Sequence, residues 1–461
     1  MLLNTVNKFL SLSVVLLLAV VGSVTVTAET AQPAPNYNVL FLISDEHTPH
    51  VLGCYGDPLV KTPTLDSLAA RGVRFTAAYC QNPICVPSRV SFVSGRMPCH
   101  LKAFGFRNTD NQAYHEITTL ADVFNQAGYK TAWLGKTHWG NPRFQEVIDV
   151  KKKNSPDSDG EGGPERLPQD ARTATWPVEQ NPEHVTANAA LSFLERNKGN
   201  RFFLGVSFAR PHFPFIIQQK YYDLYKGKVT PPRAPQNLID DLPAVSKAER
   251  KRYKHAKATD ADILRAKAMY YGMVTYVDDE YSRILKKLGD LGLRDNTIII
   301  YTADHGEMLG DRGIWYKNSF YDGSASIPFI WSFPKELPQG KVITTPAMNM
   351  DIFPTLCDLC KLPKPVGLEG SSLLPVMTGT DDGTARYALS ENYRDGFAGR
   401  MIRTAKFKYF FYNNGEEYLY DMQSDPGEEV NLSKKSELQQ LVQELKAKAT
   451  LNWKKPGKKS T

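Results

Sequence analysis

The chain lacks most of the features that assign a function by themselves. Beyond an apolar stretch at 14–21 (VVLLLAVV), no run is long and apolar enough to cross a membrane. There is no zinc-finger or RNA-recognition motif, so the net charge of +7 does not by itself imply a nucleic-acid partner. The basic residues crowd into 247–257 and the tail (Lys454, Lys455, Lys458, Lys459). They read as solvated surface, with attraction to an anionic polymer as the sharper alternative. Cysteine is scarce, with six residues at 54, 80, 85, 99, 357 and 360. Cys357 and Cys360 sit three apart in an apolar helical pattern without two further ligands nearby, which reads as core rather than a zinc site. Gly135-Lys136-Thr137 resembles the end of a phosphate-binding loop, but the Gly that loop needs five residues earlier is Lys130 here. A nucleotide site is excluded. No internal repeat is present.

What remains is an ordinary globular composition, 42% hydrophobic and 23% charged, long enough for one large domain or one large and one small. Lys8, the apolar core at 14–21, Gly22 and the small residues Val26-Thr27-Ala28 before Glu29 form a signal-peptide pattern. The core is short for a span, and the first cysteine, Cys54, lies too far along for a lipid anchor. Residues 1–28 are therefore expected to be cleaved, and the protein to be secreted or periplasmic with no stable membrane insertion.

Further along, strands and helices alternate. Residues 38–44 (NVLFLIS) form the continuous apolar run of a strand buried on both faces. Helix is expected at 62–70, 119–127 and 262–289, and strand at 129–134, 202–208 and 297–302. The fold class is α/β: a large, mixed, mostly parallel central sheet flanked by helices. After about 375 the pattern changes to short strands at 388–390, 401–412 and 418–421 and a polar helix at 436–449. This predicts a catalytic domain over 29–374 and a small antiparallel subdomain over 375–461. The stretches 151–184 and 228–252, rich in Pro, Gly or charge, read as long loops.

Four clusters carry chemistry, mostly at predicted strand ends, where open α/β sheets place their ligands. Asp45-Glu46-His47 follows the first strand, and Asp304-His305-Gly306 follows 297–303. Two acidic strand ends in one sheet suit a hard divalent cation, and an imidazole nitrogen can join them. Gly135-Lys136-Thr137-His138 supplies a point cation and a titratable donor. The fourth is Cys85-Val86-Pro87-Ser88-Arg89, with Ser94-Gly95-Arg96 after it.

That pentapeptide resembles the Cys-x-Pro-x-Arg maturation motif of the type I, formylglycine-dependent sulfatases of the alkaline phosphatase superfamily. The similarity extends through Gly53-Cys54-Tyr55-Gly56, Thr62-Pro63-Thr64-Leu65-Asp66, Gly135–His138, Pro211-His212, Asp304-His305-Gly306 and Gly313-Ile314-Trp315-Tyr316-Lys317, in family order. The resemblance implies an alkaline-phosphatase-like fold and hydrolysis of sulfate monoesters. It implies Cys85 as precursor of the formylglycine nucleophile, Arg89 holding its hydrate, and Lys136, His138, His212 and Lys317 around the sulfate. It implies Ca2+ on Asp45, Asp304 and His305 with an oxygen at Cys85. Glu46 stands where the family often has a second Asp and is a further ligand candidate; Arg312 stands where many relatives have His. Conversion of Cys85 leaves five cysteines, so at least one is free or buried.

The expected partners are a sulfated small molecule or glycan and a maturation enzyme, either formylglycine-generating or anaerobic. Export and a basic balance suit glycosaminoglycan or algal polysaccharide fragments. The alternatives are a choline or aryl sulfatase, a phosphonate monoester hydrolase, or a non-catalytic sulfated-glycan-binding protein. Arg107, His100 and Trp315 are candidates for a sugar pocket, with surface or core the stronger reading. Oligomeric state is not legible.

Overall fold

NVLFLISD becomes strand β1 (Asn38–Asp45), with every position buried. It lies in the middle of an eight-stranded sheet. The computed structural model describes residues 36–105, 116–140, 142–149, 168–252 and 258–454. The expected leader at 1–28, Arg107, and Lys455, Lys458 and Lys459 lie outside them. The other strands are β2 (Val73–Phe75), β3 (Lys130–Gly135), β4 (Glu146–Ile148), β5 (Phe202–Pro211), β6 (Thr297–Ala303), β7 (Phe329–Ser332) and β8 (Lys341–Ile343). Their order across the sheet is β8-β2-β7-β6-β1-β5-β3-β4. Only β7 runs antiparallel to its neighbours. The mixed, mostly parallel α/β sheet expected from the sequence is what forms.

Because side chains alternate along a strand, β1 feeds two cores. Val39, Phe41 and Ile43 join one with Trp133, Val90, Phe92 and Val93. Leu40 and Leu42 join the other with Leu134, Ala187, Ala190, Phe193, Val277 and Ile284. Helix α1 (Cys85–Ser94) covers the first face, and α2 (Pro182–Asn197) and α3 (Asp260–Asp290) the second. A strand covered on both sides needs apolar residues at consecutive positions, which is why β1 reads as an unbroken run. Gly205 in β5 leaves room for the Trp133 ring, which a Cβ there would meet at 2.2 Å.

Two expectations need correction. The stretch 228–252 is not one loop; it holds helices Gln236–Asp240 and Ala244–Arg252. In the second only Val245, Ser246 and Glu249 are buried, too few to print an apolar stripe, while Ala, Lys, Glu and Arg favour the helix intrinsically. The stretch 151–184 ends inside α2, which starts with Pro182 at its first position after Asn181.

The C-terminal strands are β9 (Ala388–Arg394), β10 (Phe397–Arg403), β11 (Phe407–Tyr412) and β12 (Glu417–Asp421), a four-stranded antiparallel sheet in sequence order. The expected single strand at 401–412 is two, broken by the turn at 404–406. One face takes α4 (Gln439–Thr450) through Ile402, Tyr409, Leu419, Val442 and Leu445. The other packs Met401, Phe410 and Tyr420 on Phe320 and Tyr321. Lys408, fully buried, lies 2.7 Å from both Asp322 and Glu428. Cys357 and Cys360 are buried and unbridged, as core residues should be. No helix among the described residues is long and apolar enough to cross a membrane.

His100 lies at the surface, away from the residues that gather on Cys85, and lines a cavity with Glu369, Arg386 and Arg400. Its Nδ1 lies 2.6 Å from Glu369 and its Nε2 2.8 Å from the Asn452 carbonyl, so it clamps the residues after α4 to the segment after α1. Two acceptors favour the doubly protonated ring, and hydrogen bonding to Glu369 raises the His100 pKa despite partial burial. Glu369 is lowered, since His100 and the Met97 amide outweigh burial. A raised histidine stabilises the fold fully below the unfolded value of about 6.5, and that contribution disappears as pH rises through the folded value. His100→Gln is thus expected to lower the melting temperature at pH 6 and much less at pH 9. Equal losses in thermal scans at the two pH values would contradict the clamp.

Candidate active site

Four neighbouring parallel strands, β6, β1, β5 and β3, end at one edge of the sheet. β1 ends on Asp45, with Glu46 next; β3 ends on Gly135, before Lys136. His212 follows the end of β5, and Asp304 and His305 follow the end of β6. Cys85 opens α1 opposite them, and all ten residues of that helix are buried. The unpaired N–H groups of its first turn favour negative charge there. Gly135 (φ 94°) makes the turn that lets Lys136 N–H donate to the Ser207 carbonyl at 3.0 Å. A Cβ at Gly135 would strike that oxygen at 2.0 Å.

Arg89, one turn along α1 from Cys85, ties these ends together. Its Nε donates to Asp304 at 2.7 Å and Nη2 to Asp45 at 3.1 Å. Its Nη1 donates to the Lys136 carbonyl and to Ser207 Oγ, both at 2.9 Å. Arg89, Asp45 and Asp304 are fully shielded from solvent. Burial works to raise the Asp45 pKa, but Lys136 (2.7 Å), His212, Arg89 and Lys317 together hold it well below the usual carboxylate range.

The Cys85 sulfur lies 3.1 Å from His305 Nε2, 3.2 Å from Lys317 Nζ and 3.6 Å from Asp45 Oδ1. His305 Nδ1 faces the Gly306 carbonyl at 2.9 Å, so Nδ1 carries the proton and Nε2 keeps its lone pair toward the sulfur. Burial lowers the His305 pKa and keeps the ring neutral. One donor atom from each of Asp45, Cys85, Asp304 and His305 fits within a 4.8 Å cluster, and Asp45, Glu46 and His212 form a second.

Lys317 is pointed at by three groups: Cys85, Glu46 Oε2 at 3.2 Å and His212 Nε2 at 2.8 Å. His212 Nδ1 is turned to the Phe213 carbonyl at 2.6 Å, leaving Nε2 to accept from Lys317. Burial opposes charge on Lys317, but Cys85, Glu46, Asp45 and Asp304 hold its pKa well above the ordinary value. Glu46 sits in the left-handed region (φ 62°), fixed there by its N–H on Asp304 (3.1 Å) and by the Tyr270 hydroxyl on its carbonyl (2.7 Å).

Of the residues singled out in the sequence, Asp45, Glu46, Cys85, Arg89, Lys136, His212, Asp304, His305 and Lys317 converge. His138 is half-buried at a left-handed position (φ 56°) and makes no bond to the Cys85 sulfur. Trp315 is buried beside Phe215 in the core. The sequence reading missed Glu307, Tyr270 and Ser207. Glu307 Oε1 accepts from the Leu309 and Tyr316 amides (2.8 and 2.5 Å). Burial pushes Glu46 up to about 8 and Glu307 up to about 7. An acid three residues past Asp304 was the available signal for Glu307; nothing local marks Tyr270 or Ser207.

Comparison with known proteins shows the family and the fold. Residues 37–362 match the sulfatase family model, and 310–455 match that of the N-sulphoglucosamine sulphohydrolase C-terminal region. A sulfatase of Formosa agariphila is 30% identical over 443 residues, covering 89% of this chain and 85% of that protein. An ulvan-active sulfatase of the same organism is 30% identical over 444 residues, covering 92% and 82%. In fold, the phosphonate monoester hydrolase of Silicibacter pomeroyi superposes with a TM-score of 0.78 at 24% identity, covering 89% of this chain and 94% of its own.

Removing Arg89 leaves Asp45 and Asp304 buried without their shared partner. Arg89→Ala is expected to cost about 3–5 kcal/mol in urea unfolding. A loss below about 1 kcal/mol would mean that the two carboxylates do not depend on it.

Proposed function

This chain belongs to the sulfatase family and is a sulfuric ester hydrolase, and on that premise we propose that it cleaves sulfate monoesters of carbohydrates with a formylglycine made from Cys85 and a calcium ion. The observation that carries the reading is the meeting of His305, Lys317 and Asp45 on the Cys85 sulfur. That sulfur stands in for the oxygens of the hydrated aldehyde.

Asp45, Asp304 and His305 Nε2 would hold the calcium, with an oxygen replacing the sulfur. The clustering of their donor atoms and the lone pair left on His305 support the fit. Glu46 stands in the adjoining cluster with Asp45 and His212. When bound, the ion supplies positive charge beside the sulfate. The hydrated aldehyde supplies one hydroxyl to attack sulfur and a second whose deprotonation expels the sulfate.

The chain's own groups do the rest. Arg89 and Asp45 hold the first helical turn in place. Lys136 and Lys317 offset charge building on the sulfuryl oxygens, usually the largest catalytic contribution. Lys317 and His212, in contact with each other, deliver a proton to the departing alcohol oxygen. His138 is the proposed base for sulfate release. The net change is an ester plus water giving an alcohol plus sulfate.

An algal or glycosaminoglycan-type substrate is supported by the positive balance of the chain and by the ulvan-active relative. A leader over 1–28 and export, with a maturation enzyme as partner, complete the reading.

Peptide mass spectrometry after co-expression with a maturation enzyme should show the sulfur of Cys85 replaced by an aldehyde or its hydrate. A persistent thiol would count against the proposal. Cys85→Ser should fold and bind sulfated sugars yet fail to turn over, because serine lacks the second hydroxyl. Lys317→Ala should lower kcat on the order of 10^2- to 10^4-fold with the melting temperature nearly unchanged. Calorimetry should show calcium binding that Asp304→Asn abolishes; unchanged binding would remove Asp304 from the ligand set.

A further inference from the structure

The segment that delivers Lys317 has a backbone it would not adopt unaided. Leu309 (φ 49°), Arg312 (φ 53°), Tyr316 (φ 69°) and Asn318 (φ 70°) are all left-handed, a region disfavoured for every residue with a Cβ. Two of them directly flank the functional lysine. Such a run persists only where its surroundings over-determine it.

Glu307 provides that restraint. One oxygen of its buried carboxyl takes the amides of Leu309 and Tyr316 together, at 2.8 and 2.5 Å, and so pins both ends of the loop. Backbone bonds from Met308 to Tyr316 (2.8 Å) and from Gly310 to Ile314 (2.9 Å) close the interior. At the site itself, Glu46 Oε2 touches both Lys317 and His212 at 3.2 Å each. Glu307 thus holds the backbone immediately before Lys317, the residue on which Cys85, Glu46 and His212 meet. It makes no contact with Cys85.

We propose that Glu307 is a positioning residue for proton delivery, fixing the Lys317–His212 pair over the reacting centre from behind. The proposal rests on reading that pair as the acid for the leaving alcohol. Its signature is selective. A misplaced proton donor matters little when the leaving group is a good one, such as 4-nitrophenolate. It matters greatly when the leaving group is an alkoxide.

The matured enzyme is assayed on aryl and alkyl sulfates of rising leaving-group pKa. Glu307→Ala should lose on the order of 10^2-fold in kcat on the poorest leaving groups and little on the best, with KM nearly constant. Glu307→Gln keeps the accepting oxygen and should restore most of the loss. In a Lys317→Ala background, Glu307→Ala should cost little more. A loss independent of leaving group, additivity with Lys317→Ala, or a Gln variant as impaired as Ala would overturn the proposal. If the Ala variant does not fold, Glu307→Asp, shorter by one methylene, must show the same leaving-group slope; a flat profile overturns it. Labelling of Lys317 by an amine reagent, read by mass spectrometry, supplies an answer independent of turnover. Glu307→Ala should accelerate it severalfold over wild type, and an unchanged rate overturns the proposal even if wild type hydrolyses no sulfate ester. That last result would sink the acid reading separately.

Discussion

One guanidinium organises the whole reactive edge. Arg89 reaches from α1 to the ends of β1 and β6 through two carboxylates, to the end of β5 through Ser207, and to the turn after β3 through a carbonyl. A charge taken fully out of water is tolerated only if nearly every donor finds a partner. Arg89 meets that demand with groups from four strands at once. The need to satisfy it sets the register of those strand ends and the depth to which α1 sinks against the sheet. Cys85, a single turn away, has its position defined as a by-product.

Around this hub the electrostatics divide. Asp45 lies among cations and stays charged, whereas Glu46, its neighbour in sequence, turns through a left-handed peptide toward Lys317 and His212 and is pushed up by burial. Adjacent acids therefore present different chemistry: one an anion held by surrounding cations, the other a carboxyl raised by burial beside Lys317 and His212. The pairing of environments, more than the residue types, separates the anion-binding half of the site from the proton-handling half.

Much of this was legible in the sequence because β1, β5 and β6 are buried strands rich in apolar residues, with Asp45, His212 and Asp304 at or just past their ends. The Cys85–Arg89 pentapeptide and Lys317 were visible because their chemistry requires those side chains. Helix Ala244–Arg252 was not, since it buries too little to show a period, and the two strands within 401–412 merged because the turn between them has no glycine or proline. Glu307 and Tyr270 were hidden for a different reason. Both act on backbone atoms that carry no side-chain signature: Glu307 on the nearby amides of Leu309 and Tyr316, and Tyr270 on the Glu46 carbonyl, which only the folded chain brings to it. The structural role of His100 was not legible because its partner, the Asn452 carbonyl, is a main-chain group that any residue offers.

The burial of α1 also sets a clock. No atom of Cys85 is open to solvent, and its helix is enclosed along its full length between the sheet and the 349–359 region. In the finished fold Cys85 offers no surface to an enzyme acting from solvent. Any enzymatic modification must reach the 85–89 segment while the chain is still extended, and folding afterwards seals the product in. The folded population then carries a permanent record of how the race between modification and folding ended in each molecule. If Cys85 is converted as proposed, specific activity would measure that race as much as it measures the site.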